Sequence, residues 1–412
     1  MSALPQKKLK NTFFIPQDIQ DSITSDKYKK FLIENNLPIS SQIDHKAGRI
    51  ETIENAISSG KISLSTFLDF LAVELKRNRN RTAFFSSLDN ASATKLASYQ
   101  FVQSNLIEAQ LPSANFNSLL DSIRPDETKC AYLQVDLSGN TVTYITLCFT
   151  EKVQLRAATL NTHAKHDTDF TWIEIDIKNK IVTIRVYDRN NTFGAMTDKA
   201  KFQYYNNQLK MIFGIQFTDM SYQRNTLYKI FNELTSKAEE PFTERTQSTH
   251  ELTEKFIKDC ISGLSLQNES VVADFSERLK NLQMRSLIQE NFKEYSSYSE
   301  GKKGLVDRYF YTDKTGASVN AKTNDEERSI SLYDIYLDTK HSIDKLMLID
   351  KLWVTWYRKT LNRLGITKIE KIKTKIEVFK ECYVIHFLYD FLNEEAESHV
   401  LSEFRNFERT PN

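Results

Sequence analysis

The sequence predicts an α+β protein, and three features carry that expectation. Apolar residues recur every three or four positions through the first 127 residues; from Ala131 the period falls to two; beyond residue 253 helical and strand periods mix without repetitive βαβ order. The expected parts are a helical region over 1–127, a β-rich domain with a closing helix over 128–236, a polar linker over 237–252 and an α+β domain over 253–412. A chain of 412 residues suffices for two or three domains that each bury a core, and no internal repeat is visible.

Each element follows from local pattern. Tyr28, Phe31 and Leu32 form the inner face of a first helix, Leu37-Pro38 a stiff extended corner, and Ile50, Ile53 and Ile57 the inner face of a second. Leu64, Phe67, Leu68, Leu71 and Leu75 recur at helical spacing behind Ser63, a natural cap. "AYLQVDLSGNTVTYITLCF" reads as two strands around Ser138-Gly139-Asn140, and "WIEIDIKNKIVTIRVYD" as a hairpin around Asn179. "QLKMIFGIQF" is expected to add a strand, and a helix from about Ser221 places Leu227, Ile230, Phe231 and Leu234 on one face. "SKAEEPFTERTQSTHE", polar and holding Pro241, reads as linker. A long helix through Phe275, Leu279, Leu282 and Ile288 follows, then a hairpin around Gly316 and a helix near Ser331 to Ser342. After these come the strand "KLWVTWYR", one or two strands in "IKTKIEVFKECYVIHFLYDF" and a final helix in "NEEAESHVLSEFRNF".

Composition excludes several functions. The 55 Lys and Arg almost cancel the 54 Asp and Glu, so attraction to a polyanion must come from local patches. Ten glycines are few, and neither G-x-x-x-x-G-K-[ST] nor G-x-G-x-x-G occurs; "EGKKG", from Gly301 to Gly304, has the wrong spacing for a phosphate loop. A nucleotide-driven motor or a Rossmann dehydrogenase is therefore not expected. Cys130, Cys148, Cys260 and Cys382 lack the spacing of a zinc site and read as single thiols in a reducing cytosol. No apolar run has the length of a signal peptide or a membrane span, so a soluble, cytoplasmic protein without membrane partner, cofactor or metal is expected.

The helix, corner and second helix within residues 25–59 resemble the SAP module, a helix–extension–helix unit that binds duplex DNA. The resemblance implies that the amide end of the second helix meets a phosphate and that Lys46 and Arg49 contact the backbone. Here "ISSQIDHKAGR" joins the elements, with Asp44 adding an opposing charge. The alternative is an ordinary two-helix hairpin with solvated cations.

Two further basic clusters extend the nucleic-acid reading. Lys76, Arg77, Arg79 and Arg81 in "KRNRNR" create local positive potential, although basic helix ends also complement the helix dipole. Lys371, Lys373 and Lys375 alternate with Ile372, Thr374 and Ile376 and leave one face of a strand. Trp353, Trp356 and Tyr357 lie on an expected neighbour, the combination that single-stranded nucleic acid requires. Lysines also guard edge strands, and tryptophans also fill cores.

One stretch offers an enzyme. In "HDTDFTWIEIDIK", Asp176-Ile177-Lys178 fits the D/E-x-K triplet of Mg²⁺-dependent nucleases, with Asp167 or Asp169 as first carboxylate. An ordinary hairpin explains the same pattern, with Glu174, Asp176 and Lys178 on a solvated face. His163 and His166 have chelating spacing but no third ligand, and His386 lies in an apolar strand. The preferred expectation is a non-enzymatic nucleic-acid-binding or sensing subunit whose nucleic-acid partner is duplex DNA, acting in genome maintenance or defence against mobile DNA beside a catalytic protein partner. The nuclease and a protein-interaction scaffold are the alternatives.

Overall fold

The structure is a computed structural model and describes residues 13–39, 44–77, 79–156, 164–189, 195–297, 303–325, 328–361, 367–389 and 391–409. Helices and antiparallel strands coexist, as an α+β protein requires. The chain forms two compact units, one running up to Asp219 with Tyr389–Glu394 added, the other Met220–Leu388 with the last residues from Glu395. The helical region expected over 1–127 and the strands that follow it therefore share the first unit, whereas the helix expected to close the 128–236 domain belongs to the second.

In the first unit, α1 (Gln17–Ser22), α2 (Ser25–Glu34), α3 (Lys46–Ser58) and α4 (Leu64–Arg77) precede β1 (Thr82–Ser87), α5 (Asn90–Leu96) and α6 (Tyr99–Glu108). Next come β2 (Phe116–Asn117), β3 (Lys129–Ser138), β4 (Thr141–Arg156), β5 (Lys165–Asp176), β6 (Ile181–Val186) and α7 (Asp198–Phe213). The strand order is β2-β3-β4-β5-β6-β1, with every pairing antiparallel. The amphipathic helices α1 to α4 bury Ile19, Tyr28, Phe31, Leu32, Ile53, Phe67 and Leu71 against Ala131, Cys148, Phe170 and Trp172 on one sheet face. On the other face α7 stacks Phe202 on Phe84 at 4.7 Å and sets Tyr205 5.3 Å from Phe149.

Local signals explain the elements. Ser63 Oγ accepts from Thr66 N at 3.0 Å, the expected cap of α4. Gly139 turns the β3–β4 hairpin at φ +61°. Two expectations fail. "QLKMIF" is the end of α7, capped at Thr197 and closed by the left-handed Gly214, not a strand. The short strand β1, buried along most of its length, interrupts the region expected to be wholly helical.

The second unit holds α8 (Gln223–Ser236), α9 (Glu240–Gln247), α10 (His250–Gly263), α11 (Glu269–Glu290), α12 (Phe292–Ser297), β7 (Gly304–Thr312) and β8 (Ser318–Lys322). α13 (Asp334–Leu346), β9 (Lys351–Leu361), β10 (Thr367–Val378), β11 (Tyr383–Phe387) and α14 (Glu394–Arg409) complete it. The strand order is β11-β10-β9-β7-β8, again antiparallel. The expected linker is instead helical: Pro241 sits in the first turn of α9, where a missing N–H costs nothing, and Phe242 is buried against Tyr295. Tyr336 Oη donates to Glu239 at 2.7 Å and fixes the same segment.

Gly304 begins β7; a Cβ there would stand 2.4 Å from the Thr355 carbonyl oxygen, so this glycine serves close strand packing. Gly301 lies outside the described residues. Among the described residues no helix is long and apolar enough to cross a membrane.

Candidate nucleic-acid interface

The three basic clusters have different fates. In the N-terminal pair, Arg49 is turned inward and buried: its Nε donates to Asp44 at 3.1 Å and its Nη1 to Ser25 O and Oγ at 2.8 Å. The carboxylate that reads in sequence as an adverse surface charge is the partner that draws the guanidinium in. Lys46 is half-buried, and burial lowers its pKa. At the start of α3 the Gly48 N–H donates to His45 Nδ1 at 2.9 Å, so a side chain already caps an amide that the SAP resemblance offers to a phosphate. The expected exposure of Arg49 is corrected accordingly, whereas Lys46 stays partly exposed at the start of α3.

The "KRNRNR" cations are also engaged internally. Lys76 lies 2.9 Å from Glu174, Arg77 3.1 Å from Glu394, and Arg81 donates to the Tyr389 carbonyl. Arg79 donates to Asp21 O at 2.7 Å and lies over the Tyr187 ring at 5.7 Å. Arg79 and Arg81 border a cavity of about 510 Å³ shared with Asp18, Arg124, Asp167 and Arg189. Cations and carboxylates pair within it: Arg124 Nε donates to Asp18 at 2.9 Å and Arg189 Nη1 to Asp167 at 2.8 Å.

The nuclease constellation is pulled apart by the strand that carries it. Asp167 and Asp169 stand near the start of β5 and Asp176 at its end; seven strand rises separate Asp169 from Asp176 by roughly 23 Å. One metal ion cannot bridge them. Asp169 is buried against Lys201 and pairs across the sheet with Glu151, while Asp176 accepts from Asn179 N at 2.9 Å and Asn179 Nδ2 at 2.7 Å as the cap of its turn. Lys178 is exposed within that turn. The face read as solvated is also corrected, because Glu174 is buried between Lys76 and Arg185. His163 lies outside the described residues. Among the described residues no group of three or more His, Cys, Asp and Glu is arranged to hold a metal ion.

The third cluster forms a surface. The β9–β10 register sets Lys371 opposite Tyr357, Lys373 opposite Thr355 and Lys375 opposite Trp353, all on one face. β10 lies between β9 and β11, and the Lys373 carbonyl accepts from Leu388 N at 2.9 Å. Edge protection therefore does not account for Lys373 and Lys375, whereas Lys371 extends beyond the end of β11. Register continues outward: Arg308 on β7 faces Trp353, Lys322 on β8 faces Arg308, and His386 on β11 faces Lys375. Lys322, Arg308, Trp353, Lys375 and His386 thus form one row across five strands, about 19 Å long at the usual strand spacing.

The row is held by ring contacts. The Arg308 guanidinium lies 4.2 Å from the centroid of Trp353, and the Lys375 ammonium 5.4 Å from it. Arg308 Nε also donates to Asn320 at 3.0 Å. The expected aromatic trio divides: Trp353 and Tyr357 face outward, whereas Trp356 is fully buried and donates its indole N–H to Thr374 at 2.9 Å. Helices pack on the opposite face, with Phe231 of α8 against Tyr309 and Phe404 of α14 stacked on Tyr383.

One carboxylate interrupts the basic face. Glu377 lies 3.0 Å from Lys351, in contact with Lys375, and 3.4 Å from His386 Nε2. Burial raises its pKa, but His386, Lys375 and Lys351 outweigh that and hold the carboxyl well below its ordinary range. His386, expected as a core histidine, stands half-buried in this polar cluster. Arg308 and Lys322 were absent from the sequence-based set. Their pairing was legible, since a hairpin turning at Gly316 brings 308 opposite 322, but the adjacency of β7 to β9 crosses more than 30 residues and has no local signal.

The chain matches no protein-family model and no curated protein.

Proposed function

We propose that the protein binds single-stranded nucleic acid through the outer sheet face of its second unit. The observation that carries this reading is the cross-strand row from Lys322 to His386, flanked by Lys373, Lys371 and Tyr357. Cations arrayed at strand spacing follow a phosphate backbone, and outward rings offer stacking surfaces that any base can use. An open sheet face suits splayed single strands better than the groove of a duplex. The near-neutral chain makes such a local patch the source of attraction.

The test is fluorescence anisotropy with a labelled single-stranded oligonucleotide and its duplex, titrated across salt concentrations. The single strand should bind more tightly. Changing Lys371, Lys373 and Lys375 together to Ala should weaken binding and reduce the salt slope by about two units, at about 0.7 per phosphate contact. Parental affinity and slope in the triple variant would overturn the proposal.

A further inference from the structure

A second candidate site lies in the first unit and is independent of the basic face. A cavity of about 660 Å³ is lined by α6 and α7, with Phe149 of β4 also on its wall. That volume is in the range of small-molecule sites. The two helices line it in the same pattern: Phe101 and Asn105 are one turn apart on α6, and Tyr204 and Gln208 one turn apart on α7. Each helix therefore supplies a ring followed by an amide.

The aromatic wall is continuous. Tyr205 lies 5.3 Å from Phe149 and meets Tyr204 nearly edge-on at 5.0 Å. Such walls favour flat ligands that stack or present an edge. The polar capacity is specific as well. Asn105 Nδ2 donates to Phe101 O at 2.7 Å, and its Oδ1 accepts from no described residue. Gln208 hydrogen-bonds to no described residue, so it offers both a donor and an acceptor. Lys95 and Glu108, the charged residues of the lining, are opposite in sign, so the cavity has no net charge to attract a phosphate.

We propose that this cavity binds a neutral nucleobase or nucleoside, its ring against the aromatic wall and its hydrogen-bonding edge toward Asn105 and Gln208. Isothermal titration of the full chain with adenosine, guanosine, cytidine and uridine, and with adenosine monophosphate as charged control, tests it. At least one nucleoside should bind saturably. Gln208→Ala and Tyr204→Ala should each weaken that binding about tenfold, while the Lys371/Lys373/Lys375 triple variant should leave it unchanged. Tyr204 is exposed and Gln208 half-buried, and a parental thermal melt verifies each fold. Absence of saturable binding by all four nucleosides overturns the proposal. So does binding that Gln208→Ala leaves intact, or a monophosphate that binds more tightly than adenosine. Loss of nucleoside binding only in the triple lysine variant would assign the ligand to the other unit and also overturn it.

Discussion

Lys375 stands directly across the sheet from Trp353, its ammonium 5.4 Å from the indole centroid while its other contact is the Glu377 carboxylate. Under the proposed nucleic-acid binding, a backbone phosphate would compete with Glu377 for this ammonium.

Glu377→Gln should therefore strengthen oligonucleotide binding by about three- to tenfold and steepen the salt dependence by up to about one unit, since Lys351 and Lys375 lose their internal counterion. Anisotropy titrations at several salt concentrations check both numbers. Weaker binding would mean that Glu377 organises the cations instead of competing for them.

Arg49→Ala should destabilise the first unit by about 2 kcal/mol, because the buried guanidinium holds Asp44 and the Ser25 carbonyl by charge-assisted hydrogen bonds. Urea denaturation measures the loss. Nucleic-acid affinity should remain parental; a drop with stability unchanged would restore Arg49 as a surface contact.

Glu174 gives the first unit a pH dependence. Burial raises its pKa, but Arg185 and Lys76 outweigh this and leave the folded value well below the ordinary carboxyl range. Because the folded pKa is depressed, the stabilisation is complete above the unfolded value of about 4.3 and declines as pH falls from there toward the folded value. Glu174→Gln should cost about 3 kcal/mol at pH 7, since the buried Arg185 and the half-buried Lys76 lose their counterion. The gap between parent and variant, followed by urea denaturation, should narrow below about pH 4. A gap independent of pH would rule out the ionised carboxylate as its source.

Phe31→Ala should cost about 3–5 kcal/mol, the usual loss for a fully buried ring. Phe31 is 2% exposed and packs 4.6 Å from Phe70 and 5.7 Å from Phe67. The same urea experiment reads this loss, and a change below about 1 kcal/mol would show that α2 is held by other contacts.

Local periodicity by itself determined the α+β class, the α2–α3 pair, the β3–β4 and β5–β6 hairpins and the common face of Lys371, Lys373 and Lys375. Spacings of 3.6 and 2 are properties of adjacent residues, so no distant contact is needed to read them. Where local chemistry was ambiguous the reading failed: "QLKMIF" has apolar residues enough for a strand but ends a helix begun fifteen residues earlier, and Pro241 reads as a breaker although it starts α9. Tertiary structure alone decided which cations face solvent. Arg49 is drawn in by the nearby Asp44 and the Ser25 carbonyl, whereas the "KRNRNR" residues find carboxylates and carbonyls distant in sequence, from Asp21 to Glu394, and pairing across such separations leaves no trace in a local pattern. It also decided that β10 is flanked on both sides near Lys375 and that β7 lies beside β9. Strand neighbours are chosen by the packing of the whole sheet, and only that choice sets Lys375, one of the three alternating lysines, in a row with Arg308, Trp353 and His386.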